Sequence, residues 1–294
     1  MKRLGQHFLT NKIKLQEIIE TLDLKPGDTV IEIGPGHGEL TRPMAEKLKT
    51  KNSAPAGRPE KSKIITIEKD GDLVKLLKAE FTENENIEII QGDALKILPD
   101  LCSKFHDLSF KIVGNIPFYI TGYLLRILGE LEKKPSLIVL TVQKEVAERV
   151  CAEPPRMNLL AASVQFWAEP KIIDYIPKTD FQPQPKVDSA IIKLVISNQP
   201  LATSENYYKL IKIIFKQPRK TILNNLASGV KYQASSIKNQ KIPISSRIID
   251  KVGTKEEIIK ILETLKISPT DRPQNLTIEQ IKNLSVQLSS IVIF

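Results

Sequence analysis

The amino-acid sequence predicts an α/β protein in which a parallel sheet with alternating helices is followed by a smaller, all-helical domain. Two observations support this prediction. Five short, β-rich apolar runs alternate with segments of helical periodicity over residues 29–151, as expected of successive βα units. Beyond Ser197 the β-rich runs end and only helical patterns follow. We therefore expect a first domain over residues 1–198 and a helical domain over residues 199–294.

Composition limits the class of protein. The chain has 294 residues, of which 41% are hydrophobic, so two domains with a sizeable core are feasible. Residues 1–200 carry 28 basic and 27 acidic side chains, whereas residues 201–294 carry 15 and 7. A basic last third indicates a polyanionic partner, and a Lys-rich surface that only confers solubility is the alternative. The sequence has two distant cysteines, shows no metal-ligand spacing and contains no signal or membrane-spanning run. These features predict a metal-free, cytoplasmic protein without a membrane partner.

The predicted elements can be placed in order along the chain. Asn11 is a suitable N-cap for a first helix that extends to about Leu22. Strands are predicted at Thr29–Ile33, Ile64–Ile67, Ile87–Ile90, Phe110–Val113, Leu137–Val142, Lys171–Ile176 and Ala190–Ile196. The last two strands flank a proline-rich loop, so we expect an antiparallel hairpin at the sheet edge. Further helices are predicted at about residues 40–49, 72–81, 123–131, 143–151, 158–167, 205–215, 219–227, 244–251, 255–265 and 278–288.

A glycine-rich loop after the first buried strand is the strongest local motif. Gly34, Gly36 and Gly38 follow Glu32-Ile33 and precede a helix. Glycines let the backbone approach a ligand, and the start of the helix presents free N–H groups. The spacing differs from the G-x-G-x-x-G dinucleotide fingerprint, and Glu-x-Gly-x-Gly-x-Gly is typical of S-adenosylmethionine (SAM) sites. A tight turn without a ligand is the alternative.

Acidic residues end the next two predicted strands. Glu68 lies 34 residues after Gly34, but residues 49–62 have the composition of a solvated insertion. Without these 14 residues the separation is 20, the usual distance to an acidic side chain that bonds a ribose. Asp93 ends the third strand and can accept a hydrogen bond from the adenine amine of a cofactor, or it can cap a helix. The carboxyl ends of parallel strands line one crevice, so we expect both carboxylates there.

The fourth strand ends in Gly114-Asn115-Ile116-Pro117-Phe118-Tyr119. Pro117 fixes its own φ and biases Ile116 towards an extended backbone. The turn would therefore hold the Asn115 amide and the neighbouring carbonyls as rigid acceptors next to aromatic rings. Acceptors beside an aromatic face suit a planar group that bears an amine, such as adenine. The alternative is a proline-containing turn whose aromatic residues belong to the core.

Taken together, the motifs resemble the ribosomal RNA adenine N6-dimethyltransferases of the KsgA type. They occur in family order at Gln6–Leu9, Glu32–Thr41, Gly92–Ala94, Asn115–Phe118, Gln143–Arg149, Pro185–Ala190, Arg219–Thr221 and Arg272–Thr277. The resemblance spans essentially the whole chain outside residues 49–62. It implies a Rossmann-like SAM-dependent methyltransferase domain followed by a helical RNA-binding domain.

The resemblance implies that the chain dimethylates N6 of two adjacent adenines near the 3′ end of 16S ribosomal RNA during small-subunit maturation. SAM is the cofactor that the resemblance implies, and we expect no metal and a monomeric enzyme. The residues it assigns to the cofactor are His7, Leu9, Gly34, Gly36, Glu68, Asp93 and Asn115. The candidate catalytic residues are Asn115, Pro117 and Phe118, and the candidate RNA-binding residues are Phe118, Phe181, Lys216, Arg219 and Lys220.

Three positions depart from the family pattern. His7 stands where the family often has Asn, Phe118 where the small-subunit enzymes usually have Tyr, and Pro218 where an Arg is common. Stacking survives the change at Phe118, whereas a hydroxyl contact is lost. Two other functions stay open at this point: an erythromycin-resistance-type methylase of 23S ribosomal RNA, and a non-catalytic RNA-binding factor of ribosome assembly.

The expected mechanism depends on hydrogen bonds to the target amine. The Asn115 side-chain oxygen and a backbone carbonyl at Ile116 or Pro117 would accept the two N–H groups and expose the nitrogen lone pair. Positioning and electrostatics would then drive an in-line methyl transfer. Phe118 and Phe181 are expected to clamp the flipped base, with a core position as the alternative for Phe181.

Overall fold

The computed structural model describes residues 6–50, 62–105, 109–197, 204–229 and 254–289. The chain divides into two compact units. The first contains the residues up to 148 together with 168–197, and the second contains 149–167 together with the residues after 197. The expected boundaries differ from this division because they assign residues 149–167 to the first domain.

The first unit is built on a seven-stranded sheet. Its strands are β2 (Thr29–Ile33), β3 (Lys63–Glu68), β4 (Ile87–Gln91), β5 (Phe110–Asn115), β6 (Leu137–Gln143), β7 (Ala168–Ile176) and β9 (Ser189–Ile196). The strand order is β4-β3-β2-β5-β6-β9-β7. The five strands from β4 to β6 are parallel, and β9 is antiparallel to both β6 and β7. The predicted α/β class and the hairpin at the sheet edge are confirmed.

The register of the parallel strands aligns their carboxyl ends. Ile33 of β2 is paired with Ile67 of β3 on one side and with Gly114 of β5 on the other. All five residues of β2 are buried, as expected of a central parallel strand that is covered on both faces. The residues that follow Ile33, Ile67 and Gly114 therefore reach the same edge of the sheet.

A second, two-stranded sheet holds the N-terminal segment. It consists of β1 (Phe8–Leu9) and β8 (Phe181–Gln182), which pair in antiparallel fashion. The sequence did not predict either strand, because two residues are too few to show an alternating pattern. Next to this pair, the Thr10 N–H donates to the Asp180 carbonyl at 2.8 Å, and the Asn11 amide donates to the Asp180 carboxylate at 2.7 Å.

Helices cover the sheet and connect its parallel strands. In the first unit they are α1 (Lys12–Thr21), α2 (Thr41–Thr50), α3 (Gly71–Glu80), α4 (Ala94–Ser103) and α5 (Thr121–Glu130), and α6 (Lys144–Val150) contains the boundary between the units. Asn11 caps α1 as predicted, since its side chain accepts from the N–H groups of Ile13 and Lys14. Helix α4 was not predicted; it contains Pro99, which normally disfavours a helix interior.

The second unit is helical. It contains α7 (Leu159–Gln165), α8 (Ser204–Ile214), helical residues 222–229, α9 (Lys255–Thr264) and α10 (Ile278–Ser289). Phe166 stacks on Tyr207 with ring centroids 4.1 Å apart, and the buried Tyr207 hydroxyl donates to the Ala162 carbonyl at 2.8 Å. These contacts explain why residues 149–167 group with the second unit. The predicted helix at 244–251 lies outside the described residues.

The expected insertion at residues 49–62 is only partly described. Its first two residues belong to α2, and its last residue, Ser62, is buried and accepts a hydrogen bond from the Gly27 N–H at 2.9 Å. Both ends are therefore part of regular or packed structure, and residues 51–61 lie outside the described ranges. Among the helices that the structure describes, none is long and apolar enough to cross a membrane.

Candidate active site

A cleft opens at the carboxyl ends of the parallel strands. It lies within the first unit, and most of the residues predicted to form a site line it: His7, Gly34, Gly36, Glu68, Asp93, Asn115, Pro117, Phe118 and Phe181. Leu9 is an exception, because it is 2% exposed and belongs to the hydrophobic core. The three predicted RNA-binding cations lie in the second unit.

The glycine loop forms one wall of the cleft. Gly34, Gly36 and Gly38 have φ values of +67°, +63° and +87°, which side chains other than glycine rarely adopt. A Cβ at Gly36 would lie 2.8 Å from the Phe8 ring, so this position also has no room for a side chain. A Cβ at Gly34 would meet only the Asn115 carbonyl, at 3.9 Å. The loop thus exposes backbone to the cleft, as a bound amino-acid tail and ribose would require.

Glu68 presents a buried carboxylate at the end of β3. Its side chain is 3% exposed and accepts backbone hydrogen bonds from Lys69 at 2.8 Å, Asp70 at 2.9 Å and Gly36 at 3.3 Å. Burial raises the pKa of Glu68, and these three N–H groups oppose that shift. The carboxylate therefore ties the glycine loop to the turn after β3 and keeps acceptor capacity at the cleft, which suits ribose hydroxyls.

Asp93 is both a helix cap and a residue of the cleft. One oxygen accepts from the Leu95 N–H at 3.1 Å at the start of α4, and the other accepts from Lys69 Nζ at 2.9 Å. The Lys69 hydrogen bond is the main reason why the pKa of Asp93 is lowered. Asp93 therefore caps α4, as the alternative interpretation proposed, and it also lines the cleft. Sequence analysis missed Lys69, whose position directly after the strand-end residue Glu68 was the available signal.

The turn after β5 holds the Asn115 amide in one orientation. Asn115 Nδ2 donates to the His7 carbonyl at 2.8 Å, and within the described part of the chain Oδ1 accepts no hydrogen bond. The backbone is fixed as well, because the Ile116 N–H donates to the Thr141 carbonyl at 3.1 Å. The Pro117 carbonyl accepts from the Ile120 N–H at 3.1 Å. The Asn115 side-chain oxygen is thus a free acceptor. Of the two candidate backbone acceptors, the Ile116 carbonyl is favoured, because the Pro117 carbonyl already accepts a hydrogen bond.

Gly114 is required for this arrangement. A Cβ there would lie 2.6 Å from the Ile33 carbonyl of the neighbouring strand, which real structures essentially never show. The residue before Asn115 must therefore lack a side chain for β5 to reach the edge of the sheet.

Aromatic rings also line the cleft. The Phe118 ring is half-buried and stacks on the His7 ring with centroids 5.8 Å apart. His7 Nδ1 donates to the Pro183 carbonyl at 2.7 Å, which ties the N-terminal segment to the proline-rich loop. Phe181 lines the cleft but is 3% exposed and packs in the core. Phe118 therefore has an accessible face for a base, whereas most of the Phe181 ring is covered.

A second buried carboxyl lies behind the glycine loop. Glu32 is 1% exposed, and the Thr41 hydroxyl donates to it at 2.6 Å. Burial raises the pKa of Glu32 to about 8, and the charges of Glu39 and Glu68 add to that shift. The hydrogen bond joins β2 to the first residue of α2 and thereby spans the loop. Among the described residues, no group of three or more His, Cys, Asp or Glu side chains is arranged to hold a metal ion.

The basic cluster consists of Lys216, Arg219 and Lys220, on the turn after α8 in the second unit. All three side chains are exposed. Exposed cations close together in sequence suit contacts with a phosphate backbone. Their role in RNA binding stays a prediction.

Comparisons with known proteins identify relatives over most of the chain. The profile of the family described as Ribosomal RNA adenine dimethylase matches residues 1–266. The Ribosomal RNA small subunit methyltransferase A of Dehalococcoides mccartyi is 35% identical over 287 residues, which cover 96% of this chain and 86% of that protein. The protein of the same name from Alkaliphilus metalliredigens is 34% identical over 297 residues, covering 98% and 92%.

Solved structures show the same fold. A dimethyladenosine transferase from Plasmodium falciparum superposes with a TM-score of 0.73 at 26% identity, over 97% of this chain and 98% of that chain. The 23S rRNA methyltransferase ErmE superposes with a TM-score of 0.69 over 96% of this chain and 99% of that chain, at 23% identity. The likeness to ErmE concerns the fold alone.

Proposed function

The chain belongs to the ribosomal RNA adenine dimethylase family, and from this we propose that it dimethylates N6 of two adjacent adenines near the 3′ end of 16S ribosomal RNA. It is thus an enzyme, an rRNA adenine dimethyltransferase, whose family uses SAM as the methyl donor. The substrate would be the small ribosomal subunit or its precursor, which the names of the relatives support. We further propose that it acts as a monomer in the cytoplasm.

The orientation of Asn115 carries this proposal. The Asn115 Nδ2 donates to the His7 carbonyl, and this hydrogen bond fixes the orientation of the amide. The amide oxygen, rather than the nitrogen, is therefore available to the substrate. That oxygen and the Ile116 carbonyl would accept the two N–H groups of the target amine. The nitrogen of the target amine would then become pyramidal. Its lone pair, which is normally delocalised into the adenine ring, would become available. The product nitrogen becomes acidic before it loses its proton, so no strong base is needed at this position.

The residues of the cleft fit SAM, which supplies an electrophilic methyl group when it is bound. The exposed backbone at Gly34 and Gly36 would accommodate its amino-acid part, the Glu68 carboxylate its ribose hydroxyls, and Asp93 its adenine amine. The buried Glu68 carboxylate with spare acceptor capacity is the observation that supports this fit. Phe118 would stack on the flipped target base, and the basic cluster would bind the RNA backbone.

Methylation of purified ribosomal subunits tests the proposal. Small and large subunits that lack the relevant methyl groups would be incubated separately with the enzyme and SAM, and their RNA digested and analysed by mass spectrometry. We expect N6,N6-dimethyladenosine at two adjacent positions near the 3′ end of 16S RNA. Modification of 23S RNA alone would instead indicate the resistance-type activity, and unmodified RNA together with SAM binding would indicate a non-catalytic assembly factor.

A further inference from the structure

Two exposed tyrosines continue the aromatic wall of the cleft onto the surface. Tyr119 is 65% exposed and Tyr123 is 57% exposed. Tyr119 directly follows Phe118 and itself lines the cleft. Neither ring belongs to the core, and an exposed aromatic patch that adjoins a cleft is a candidate contact surface for a ligand.

The exposure pattern places both rings on one face, because residues 119, 122, 123 and 126 are exposed whereas residues 121, 124 and 125 are buried. Tyr119 belongs to the 3₁₀ turn Phe118–Ile120, and Tyr123 belongs to the first turn of α5, which follows without a break. Side chains four residues apart in helical backbone are neighbours on one face. Together they form an exposed aromatic strip that begins at the cleft.

Cations border this strip at both ends. Lys69 lines the cleft together with Tyr119, and its Nζ donates to the Asp93 carboxylate at 2.9 Å. Arg126 lies three residues after Tyr123 in α5 and is therefore its neighbour on the helix surface, where its Nε donates to Glu130 at 2.9 Å. The Lys69 and Arg126 side chains are 54% and 66% exposed. Their ion pairs are open to water and can exchange for a phosphate.

We propose that Tyr119 and Tyr123 form a stacking surface for the single-stranded nucleotides that adjoin the target adenine, with Lys69 and Arg126 contacting the phosphates between them. Aromatic faces alternating with cations are the means by which proteins bind single strands. The strip is continuous with the cleft that would receive the flipped base, so its occupant is the same RNA strand. The inference rests on the proposed function, because it requires an adenine in that cleft.

Binding of a fluorescent RNA tests this surface. The probe is a short single-stranded RNA with two adjacent adenines and 2-aminopurine at the neighbouring positions. We expect quenching by the wild-type chain, and a dissociation constant raised about 5- to 100-fold with loss of quenching for Tyr119→Ala and for Tyr123→Ala. Tyr→Phe at either position keeps the ring and should restore both readouts to within about 2-fold.

Three controls separate stacking from other effects. Tyr175→Ala removes a tyrosine that is 42% exposed but lies in β7 and does not line the cleft, so it should leave RNA binding unchanged. SAM affinity, measured by calorimetry, should stay constant in every variant, because a structural defect of the cleft would lower it. In methylation of small subunits, the alanine variants should raise KM more than they lower kcat.

The outcomes distinguish the surface from the proposed function. If the wild-type chain methylates small subunits and both alanine variants match it in dissociation constant, quenching and KM, the stacking surface is overturned. If the wild-type chain methylates no adenine, the proposed function fails, and the inference fails with it. A loss of SAM affinity that parallels the loss of RNA binding would also overturn the inference, since it would assign the tyrosines a structural role.

Discussion

Replacing Asn115 with alanine separates the chemical role of this side chain from its structural role. The substitution removes the oxygen that would accept from the target amine, together with the 2.8 Å hydrogen bond from Nδ2 to the His7 carbonyl. Loss of one positioned transition-state contact slows an enzyme by about 10²- to 10³-fold, or about 2.7–4 kcal/mol. Loss of the half-buried hydrogen bond costs only about 1 kcal/mol of stability. We therefore expect a folded variant that has lost most of its activity.

The assay is single-turnover transfer of tritiated methyl groups from SAM to purified small subunits at saturating enzyme. Calorimetry with SAM and urea unfolding would accompany it, to show that the cleft and the fold are intact. Asn115→Asp is informative as well, because it keeps an acceptor but cannot donate to the His7 carbonyl, so its rate should lie between those of wild type and the alanine variant.

A matched control uses the same substitution elsewhere. Asn158 caps α7 by accepting from the N–H groups of Leu160 and Ala161, and it does not line the cleft. Asn158→Ala should cost about 1 kcal/mol of stability and leave the rate of methyl transfer unchanged. A rate for Asn115→Ala within about 5-fold of wild type would refute the role of Asn115, since the contact is expected to contribute about 10²-fold.

Three further predictions concern the cofactor loop, the buried carboxyl and the basic cluster. Gly36→Ala places a Cβ 2.8 Å from the Phe8 ring at a φ of +63°, so strain of about 1–3 kcal/mol should raise the dissociation constant for SAM about 10-fold or more in calorimetry. Burial raises the pKa of Glu32 from 4.5 to about 8. The folded state therefore binds the extra proton between these values, and its stability should fall as pH rises through them. Glu32→Gln cannot ionise, so its unfolding free energy in urea should rise relative to wild type over the same pH range. Alanine at all three positions of the basic cluster should flatten the slope of log Kd against log salt concentration by about 2, as for three contacts to single-stranded RNA, measured by fluorescence anisotropy.

Each of these predictions has its own control or contradicting result. Gly122→Ala is the matched glycine change, because its Cβ would meet no atom within 4 Å, and it should leave SAM affinity intact. The unfolding free energies of Glu32→Gln and wild type would be compared across this pH range. A difference that stays constant with pH would contradict the prediction that Glu32 is protonated in the folded state. Three exposed lysines of the first unit serve as a charge-matched control for the basic cluster: Lys12, Lys75 and Lys78. Equal slopes for the two triple variants would show that binding senses only net charge.

Much of the fold could be predicted because its strands are local features. A central parallel strand is buried on both faces, so its apolar run is continuous and its ends are visible in the sequence. The predicted bounds of β2, Thr29–Ile33, agree with the structure. The strand-end residues Gly34, Glu68 and Asn115 could be grouped for a similar reason, since parallel strands bring their carboxyl ends to one edge.

Contacts between distant parts of the chain could not be predicted in this way. The pairing of Leu9 with Phe181 joins segments about 170 residues apart, and no periodicity in two residues reports it. That pairing buries Leu9 and most of Phe181, which sequence analysis had assigned to cofactor and base. It also brings the His7 carbonyl to Asn115 Nδ2.

By itself, then, the sequence determined the succession of strands along the chain, the polar residues at their ends and the glycines that the sharp turns need. These depend on local sterics and on the burial of short apolar runs. Only the tertiary structure decided which part of each functional group is free: whether the oxygen or the nitrogen of the Asn115 amide is available, which carbonyl accompanies it, and which aromatic ring is exposed. Those properties depend on partners far away in sequence, so they exist only once the chain has folded.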